Sequence, residues 1–503
     1  MLAVKTVSYR FNVNREYSSI MKAKRGVRQG DPISPYLFVI VMEYLNRVLC
    51  RMQQNPDFNH HVKCEKLSIT HLTFADDILL FSRGDTRSVE IMMEAICNFT
   101  KATGLMLNAT KSRIYFGGVE ENVKDAILQK TLFVEGSLPF KYLGVPLTTK
   151  RLSINHYMIL VDKIVDRVRH WSTKLLSYAG RLQLIKSITF AIANYWLQCL
   201  PLPKYVLKKI NTICRTFLWT SGLEPSNRSP VAWKTVCKPV KYGGMNIINL
   251  EIWSIVTMLK LIWNICNKAD NMWVRWVHTY YFKNKSVMEM SVKPDSSWIM
   301  KTTLKARDMI PPIQQKWDEM LAKGKFHMSS IYRELNKGDE EEKIWRKLMY
   351  GNVARPRVIM TLWLICHQRL ATKDRCMRYG KVENNTCCFC ETEETITHLF
   401  FECPTMKGIW KDVLDWIGVR HEPKSWNQEL NWILQHGTGK GKKSALIRLA
   451  VTETLYGLWM YRNHNCFGKA KDNNFIRSNI IDMITYRGWY SHKLRTRISE
   501  LML

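Results

Sequence analysis

Leu67-Ser-Ile-Thr-His-Leu-Thr-Phe-Ala-Asp-Asp-Ile-Leu-Leu-Phe-Ser82 reads as two short strands, 67–74 and 78–82, joined at Ala75-Asp76-Asp77. Asp-rich residues suit a tight turn between β-rich runs. Adjacent carboxylates repel each other, so the pair is costly unless cations bind. Oxygen-seeking ions held there could stabilise a phosphoryl-transfer transition state. As a bare tetrapeptide, Phe74-Ala-Asp-Asp77 would more simply be a solvated turn, so its neighbours decide the reading.

Upstream, Arg25-Gly-Val-Arg-Gln-Gly-Asp-Pro-Ile-Ser-Pro-Tyr-Leu-Phe38 is a stiff Gly/Pro loop opening an apolar helix, Tyr36 to Val48. Before it, Val4 to Val13 alternates like a strand. Downstream, Ser88 to Thr103 patterns as an amphipathic helix ended by Gly104, followed by Gly104-Leu-Met-Leu-Asn-Ala-Thr-Lys-Ser112 and Tyr142-Leu-Gly-Val-Pro-Leu147. From about Asn155 the pattern turns helical, with Ile164, Val168, Trp171, Leu175 and Leu176, then Leu182, Ile185 and Ile188, at helical spacing. The fold class expected is α+β: a small antiparallel sheet with helices, then mainly helical regions.

The 503 residues carry 75 Lys and Arg against 43 Asp and Glu, a formal net charge of +32 and a pI near 9.6. On a composition 46% hydrophobic and 11% aromatic, that excess points to a globular protein with a polyanionic partner. It argues against a small-molecule metabolic enzyme. Between Arg167 and Leu250 stand 13 Lys and Arg and one acid, Glu224, interleaved with Trp171, Trp196, Trp219 and Trp233. A surface for backbone phosphates is the favoured reading over a solvated basic face. Apolar runs such as 36–42 and 358–366 fall far short of the roughly 20 residues that span a bilayer, so no membrane partner is expected. Scattered cysteines indicate a reducing, intracellular setting, in nucleus or cytoplasm, with clustered Cys reserved for metal. Asp339-Glu-Glu-Glu342 reads as a hinge or surface turn, and His436-Gly-Thr-Gly-Lys-Gly-Lys-Lys-Ser444 as a flexible basic linker. The latter fails the phosphate-loop spacing because Lys442 sits where the second Gly belongs.

Cys387, Cys390, His398 and Cys403 give the spacing C-x2-C-x7-H-x4-C. Three thiolates and one imidazole suit a closed tetrahedral zinc site. Cys388 is a bystander on this reading, since its use would shorten the first spacing to C-x-C. Core packing is preferred to base stacking for Trp345, Trp363 and Trp410.

In order and spacing, the 25–38, 74–77, 104–112 and 142–147 segments resemble the reverse transcriptase of LINE-type non-LTR retrotransposons, particularly plant ones. The 344–348 and 370–375 segments, the Cys/His set and Ile409-Trp410 resemble the associated zinc-binding domain, and 459–467 resembles the helix that often precedes a ribonuclease H domain. The resemblance implies an RNA-directed DNA polymerase with magnesium and zinc. Its partners would be an RNA template, a DNA primer or RNA–DNA duplex, and dNTP. It places Asp76 and Asp77 at the magnesium ions, and Arg28, Gln29, Gly30, Asp31 and Pro32 beside the nucleotide and template. It makes Tyr142, Leu143 and Gly144 the primer grip. Lys111 falls in a motif thought to help protonate the leaving pyrophosphate, and reads equally well as a surface lysine. The implied regions are a partial palm over 1–150, a basic thumb over 151–260 and a connection over 261–343. A zinc-binding domain over 344–420 and a helical tail over 421–503 complete them.

In that family a first catalytic Asp precedes the Gly/Pro loop on its own strand, whereas the first 30 residues here hold one acid, Glu16. The expectation is therefore a polymerase truncated at both ends that cannot extend a primer alone. The alternative is a non-catalytic, zinc-dependent nucleic-acid-binding remnant.

Overall fold

A computed structural model describes residues 7–22, 26–172, 175–224, 229–282, 286–292, 294, 296–337, 341–468 and 472–502. The first residues of the Val4–Val13 strand, Arg25 of the Gly/Pro loop, Lys174 and Arg228 of the basic stretch, and Asp339 and Glu340 of the acidic turn lie outside them. The fold is α+β. The chain divides into two compact units, Met1–Arg151 with Lys268–Met290, and Leu152–Asn267 with Ser291–Leu503.

The first unit holds the strands, all in two-stranded pairs. The expected single strand over 4–13 is split. Ser8–Tyr9 pairs with Met21–Lys22 and Asn12–Val13 pairs with Glu16–Tyr17, because Asn14 and Arg15 take φ of 52° and 73° and reverse the chain. The apolar helix is longer than its hydrophobic run, Ser34–Met52, since Ser34 and Pro35 are themselves good first-turn residues. It packs Leu45, Leu49 and Met52 against Ile91, Ile96 and Phe99 of the Thr86–Thr103 helix. That helix starts at Asp85, whose carboxylate accepts from the Ser88 amide at 2.7 Å, and stops at Gly104 with φ 74°. The His71–Phe74 and Asp77–Leu80 hairpin lays Ile78 and Leu80 on this core. Arg113–Ile114 pairs with Val134–Glu135 in parallel, a departure from the all-antiparallel expectation. Tyr36, Val39 and Ile40 form a second apolar stripe on the 34–52 helix and are exposed, as are Leu72 and Phe74. The 268–290 segment is tied in by Trp276 Nε1 donating to the Lys63 carbonyl at 2.7 Å and by the Lys66 amide donating to Tyr280 Oη at 3.0 Å.

The described part of the second unit is helical apart from one isolated bridge, Thr386 to Glu393. Ile154–Ser172 buries Tyr157, Leu160, Ile164, Val168 and Trp171 against Val206, Ile210 and Phe217 of Lys204–Thr220. Leu175 is fully exposed, against expectation, and lies outside the Ile154–Ser172 helix. Arg181 departs from the basic-surface reading too. It is 9% exposed, stacks on Tyr178 at 4.6 Å and donates to the Phe217 carbonyl at 3.2 Å. Trp171, Trp196 and Trp219 are buried core residues rather than companions of the basic surface. Arg167, Arg169, Lys204, Lys208, Lys234 and Lys241 do reach solvent.

The expected linker over 436–444 is mostly helix. Trp426–Gly437 runs through His436, and Lys442, Lys443 and Ser444 open Lys442–Phe467. This 26-residue helix is buried on every side from Ala445 to Leu455, which marks it as the centre of the unit. Asn473–Trp489 crosses it at Gly457, where a Cβ would meet Ile480 Cγ1 at 2.5 Å. No helix among the described residues is long and apolar enough to cross a membrane.

Candidate functional site

The Asp76–Asp77 turn is tighter than its sequence suggests. Phe74 pairs with Asp77, so only Ala75 and Asp76 lie between the strands and Asp77 is already a strand residue. Ala75 adopts φ 50°, a left-handed conformation that costs a non-glycine residue about 1 kcal/mol or more and recurs at functional sites. Both aspartates are exposed, and among the described residues neither has an ion-pair partner. No third acid, His or Cys among the described residues gathers with them as a metal-holding group. Two unneutralised, adjacent carboxylates are the hard oxygen donors that magnesium takes.

The 140–147 hairpin comes close to this pair. Phe140–Tyr142 and Val145–Leu147 are joined by Leu143 and Gly144, at φ 47° and 83°, a two-residue turn of the type that matches strand twist. Burial and the Asp77 carboxylate together push the Tyr142 phenol above its usual range. The Arg28–Pro32 loop is built by its own bonds. Asp31 Oδ1 accepts from the Ile33 amide at 3.0 Å, and Ser34 Oγ donates to the Arg28 carbonyl at 2.6 Å. Gly30, at φ 87°, has open space where a Cβ would stand, and Gln29 beside it is exposed. Lys111 is exposed in a turn nucleated by Asn108, whose Oδ1 accepts from Thr110 Oγ1 at 2.7 Å and from the Lys111 amide at 3.2 Å. No described bond joins Lys111 to the aspartates.

The second constellation is assembled from two short elements. A turn over 385–394 is closed by the Cys387 amide donating to the Thr392 carbonyl at 2.8 Å and the Glu394 amide donating to the Asn385 carbonyl at 2.7 Å. It carries Cys387 and Cys390. A wide helical turn, His398–Glu402, carries His398, and Cys403 caps the Pro404–Trp416 helix. The donor atoms of Cys387, Cys390, His398 and Cys403 all lie within 4.8 Å of one another, with Cys390 Sγ 3.1 Å from His398 Nε2. A tetrahedron with zinc–sulfur bonds of about 2.3 Å has edges of about 3.8 Å, so the set has the right size and chemistry. Hydrogen bonds from Cys388 and Cys403 hold the Cys387 thiol well below its usual range, toward the thiolate a metal binds. Cys388 touches Cys387 but falls in a separate group with Glu394 and Cys466. Trp363 and Trp410 are buried and Trp345 half-buried, in line with core packing.

Sequence reasoning passed over the acids that hold this region. Glu394 is fully buried and accepts from Arg462 Nη2 at 2.5 Å, Arg462 Nε at 3.1 Å and the Lys373 amide at 2.8 Å. Glu429, also fully buried, accepts from Trp410 Nε1 at 2.8 Å, His421 Nε2 at 2.9 Å and the Lys424 amide at 2.9 Å. Neither acid stands in an apolar run, since Glu394 follows Thr392-Glu393 outside any helix and Glu429 follows Asn427-Gln428, so the local sequence carried no signal for them.

Residues 2–147 match the family described as reverse transcriptase (RNA-dependent DNA polymerase), and residues 326–410 match zinc-binding in reverse transcriptase. Over 404 residues the chain is 26% identical to a retrovirus-related Pol polyprotein from the type-2 retrotransposable element R2DM of Drosophila melanogaster, covering 76% of this chain and 35% of that protein. Over these stretches the chain is similar to the reverse transcriptases of non-LTR retrotransposons. A Pol polyprotein from the type-1 retrotransposable element R2 of Popillia japonica shares 39% identity with it over 89 residues, 18% of this chain and 12% of that protein. A putative ribonuclease H protein of Arabidopsis thaliana shares 25% over 154 residues, 31% of this chain and 25% of that protein. The chain thus spans between 12% and 35% of the length of these relatives.

Proposed function

We propose that this chain is the nucleic-acid-binding part of an RNA-directed DNA polymerase. The 1–150 region acts as palm, 151–260 as thumb, 261–343 as connection, 344–420 as zinc module and 421–503 as its helical tail. The observation that carries the reading is that the Asp76–Asp77 turn and the Tyr142–Gly144 hairpin share the first unit, with Asp77 near enough to add to the burial that raises the Tyr142 phenol. On this reading Asp76 and Asp77 hold magnesium, which when bound neutralises charge developing on phosphate oxygens. Arg28 to Pro32 contact template and nucleotide, with Gly30 leaving room for the base pair. Leu143 and Gly144 turn the chain against the primer backbone, and Lys111 offers a cation toward the leaving pyrophosphate. Zinc fixes the 385–403 fold, and the exposed lysines and arginines between 167 and 241 meet the duplex backbone.

Among the described residues no third carboxylate joins these two, which are too few to bridge two ions, so on this reading the chain binds without extending a primer. The exposed Tyr36, Val39 and Ile40 stripe supports a further protein surface packing on the palm. Binding to a primed RNA–DNA duplex across a salt series tests the reading. Affinity should fall steeply with salt, and changing Lys204, Lys208 and Lys234 to Gln should lower the slope by about one for each phosphate left without its cation. A salt-independent affinity, or variants with an unchanged slope, would remove the thumb assignment.

A further inference from the structure

A cavity of about 270 Å³ opens between the Lys442–Phe467 and Asn473–Trp489 helices and the start of Pro356–Cys366. None of the four Cys/His ligand candidates lines it. Glu453, 1% exposed, lines it. Glu453 Oε2 accepts from Arg355 Nη2 at 2.6 Å, but the buried Oε1 has no hydrogen-bond partner, and neither has the buried Arg355 Nε. An unmet buried acceptor is costly, the more so when charged, so the site is built to receive a donor.

The surroundings select which donor. Arg357 is exposed at the cavity and stacks on Tyr456, whose ring centre is 5.6 Å from its guanidinium carbon. Arg355 stacks on the same ring at 5.5 Å. Two guanidinium groups repel a lysine or arginine side chain that might otherwise meet Glu453. The Glu453 carboxylate in turn repels an anion from the interior. What remains is a neutral group with an N–H edge that trails a negative charge outside. Phe475, 51% exposed, with Met460 and Met483, supplies flat and polarisable walls for such a group. A nucleotide has this distribution: a planar base with amine donors, and a phosphate beyond it.

We infer that this cavity holds one unpaired base of a bound strand. The exocyclic amine of adenine, cytosine or guanine donates to Glu453 Oε1, the ring stacks beside Phe475, and the phosphate rests on Arg357. Uracil and thymine lack that amine, and their ring N3–H lies between two carbonyl acceptors that the carboxylate repels. The inference rests on the proposed nucleic-acid binding and adds a base-reading site to it.

Anisotropy titrations of the full chain with oligo(A), oligo(C) and oligo(U) RNA, oligo(A) and oligo(T) DNA, and a blunt duplex test it. The amine-bearing oligomers should bind about tenfold tighter than oligo(U) or oligo(T), as one charge-assisted hydrogen bond supplies. Glu453→Gln and Phe475→Ala should shrink that preference to below about threefold while duplex affinity stays unchanged. If Glu453→Gln does not fold, Phe475→Ala decides, since its ring is half exposed. A preference in RNA alone supports the site on an RNA strand, and one in both polymers supports any unpaired strand. Duplex binding with no base preference, or a preference both variants retain, overturns the cavity and leaves the binding reading standing. No binding to any probe overturns both.

Discussion

Replacing Arg462 with Met removes the charge that couples the central helix to the metal turn. Arg462 is buried and donates to Glu394 three times, at 2.5, 3.1 and 3.1 Å. Glu394 holds the base of the turn through its amide bond to the Asn385 carbonyl, and Cys387 follows two residues after Asn385. Losing one partner of a buried pair costs about 3–5 kcal/mol, because the other charge is left without compensation. The Lys373 amide, 2.8 Å from Glu394 Oε1, still shields the carboxylate, which sets the expected loss near the lower bound, about 3 kcal/mol. Arg462→Met with Glu394→Gln leaves no buried charge and should recover most of that loss. Urea unfolding followed by tryptophan fluorescence measures each variant, and zinc release to a chelator should quicken in Arg462→Met. A loss below about 1 kcal/mol, the range of surface pairs, would refute the reasoning, as would a double variant less stable than the single one.

Three further outcomes are expected. Metal analysis of purified protein should find one zinc per chain, lost in Cys403→Ser and kept in Cys388→Ser; equal loss in both would move the ligand set. Burial, with the cations Arg369, Lys343 and Lys238 nearby, holds the His367 imidazole below its usual range, although Nε2 donating to the Gly243 carbonyl at 2.7 Å opposes this. The unfolded chain therefore takes up the proton first as pH falls, so stability is full above about pH 6.5 and declines below it. His367→Gln should flatten that decline in melting experiments between about pH 7 and pH 5. Gly244→Ala should destabilise the second unit by roughly 3 kcal/mol or more, because its Cβ would stand 1.9 Å from the Lys238 carbonyl oxygen and the backbone must move.

Where local chemistry sets the structure, the sequence was readable. Alternation around Ala75-Asp76-Asp77 foretold a hairpin, Gly104 marked a helix end, and the spacing from Cys387 to Cys403 foretold one cluster. Boundaries shifted by a few residues where first-turn residues carried a helix past its apolar run, as at Ser34 and Pro35, and Leu175, outside the Ile154–Ser172 helix, is left in solvent. Residues whose roles depend on distant partners were not legible. Arg181 counts toward a basic surface until the Phe217 carbonyl, 36 positions away, accepts its hydrogen bond. Glu453 looks like an ordinary helical acid until Arg355, 98 positions away, pairs with one of its oxygens and leaves the other bare. Lys442 and Lys443 looked like linker because a run of glycines precedes them, yet burial of the segment from Ala445 onward draws them into a helix.

Primer extension by the purified 503-residue chain is the most direct test of the proposed function. With a primed RNA template, magnesium and all four dNTPs, the chain should bind the duplex in a salt-dependent manner and add no nucleotide. Incorporation that disappears in Asp76→Asn would contradict this, and would show that Asp76 and Asp77 form a working site without a further acid.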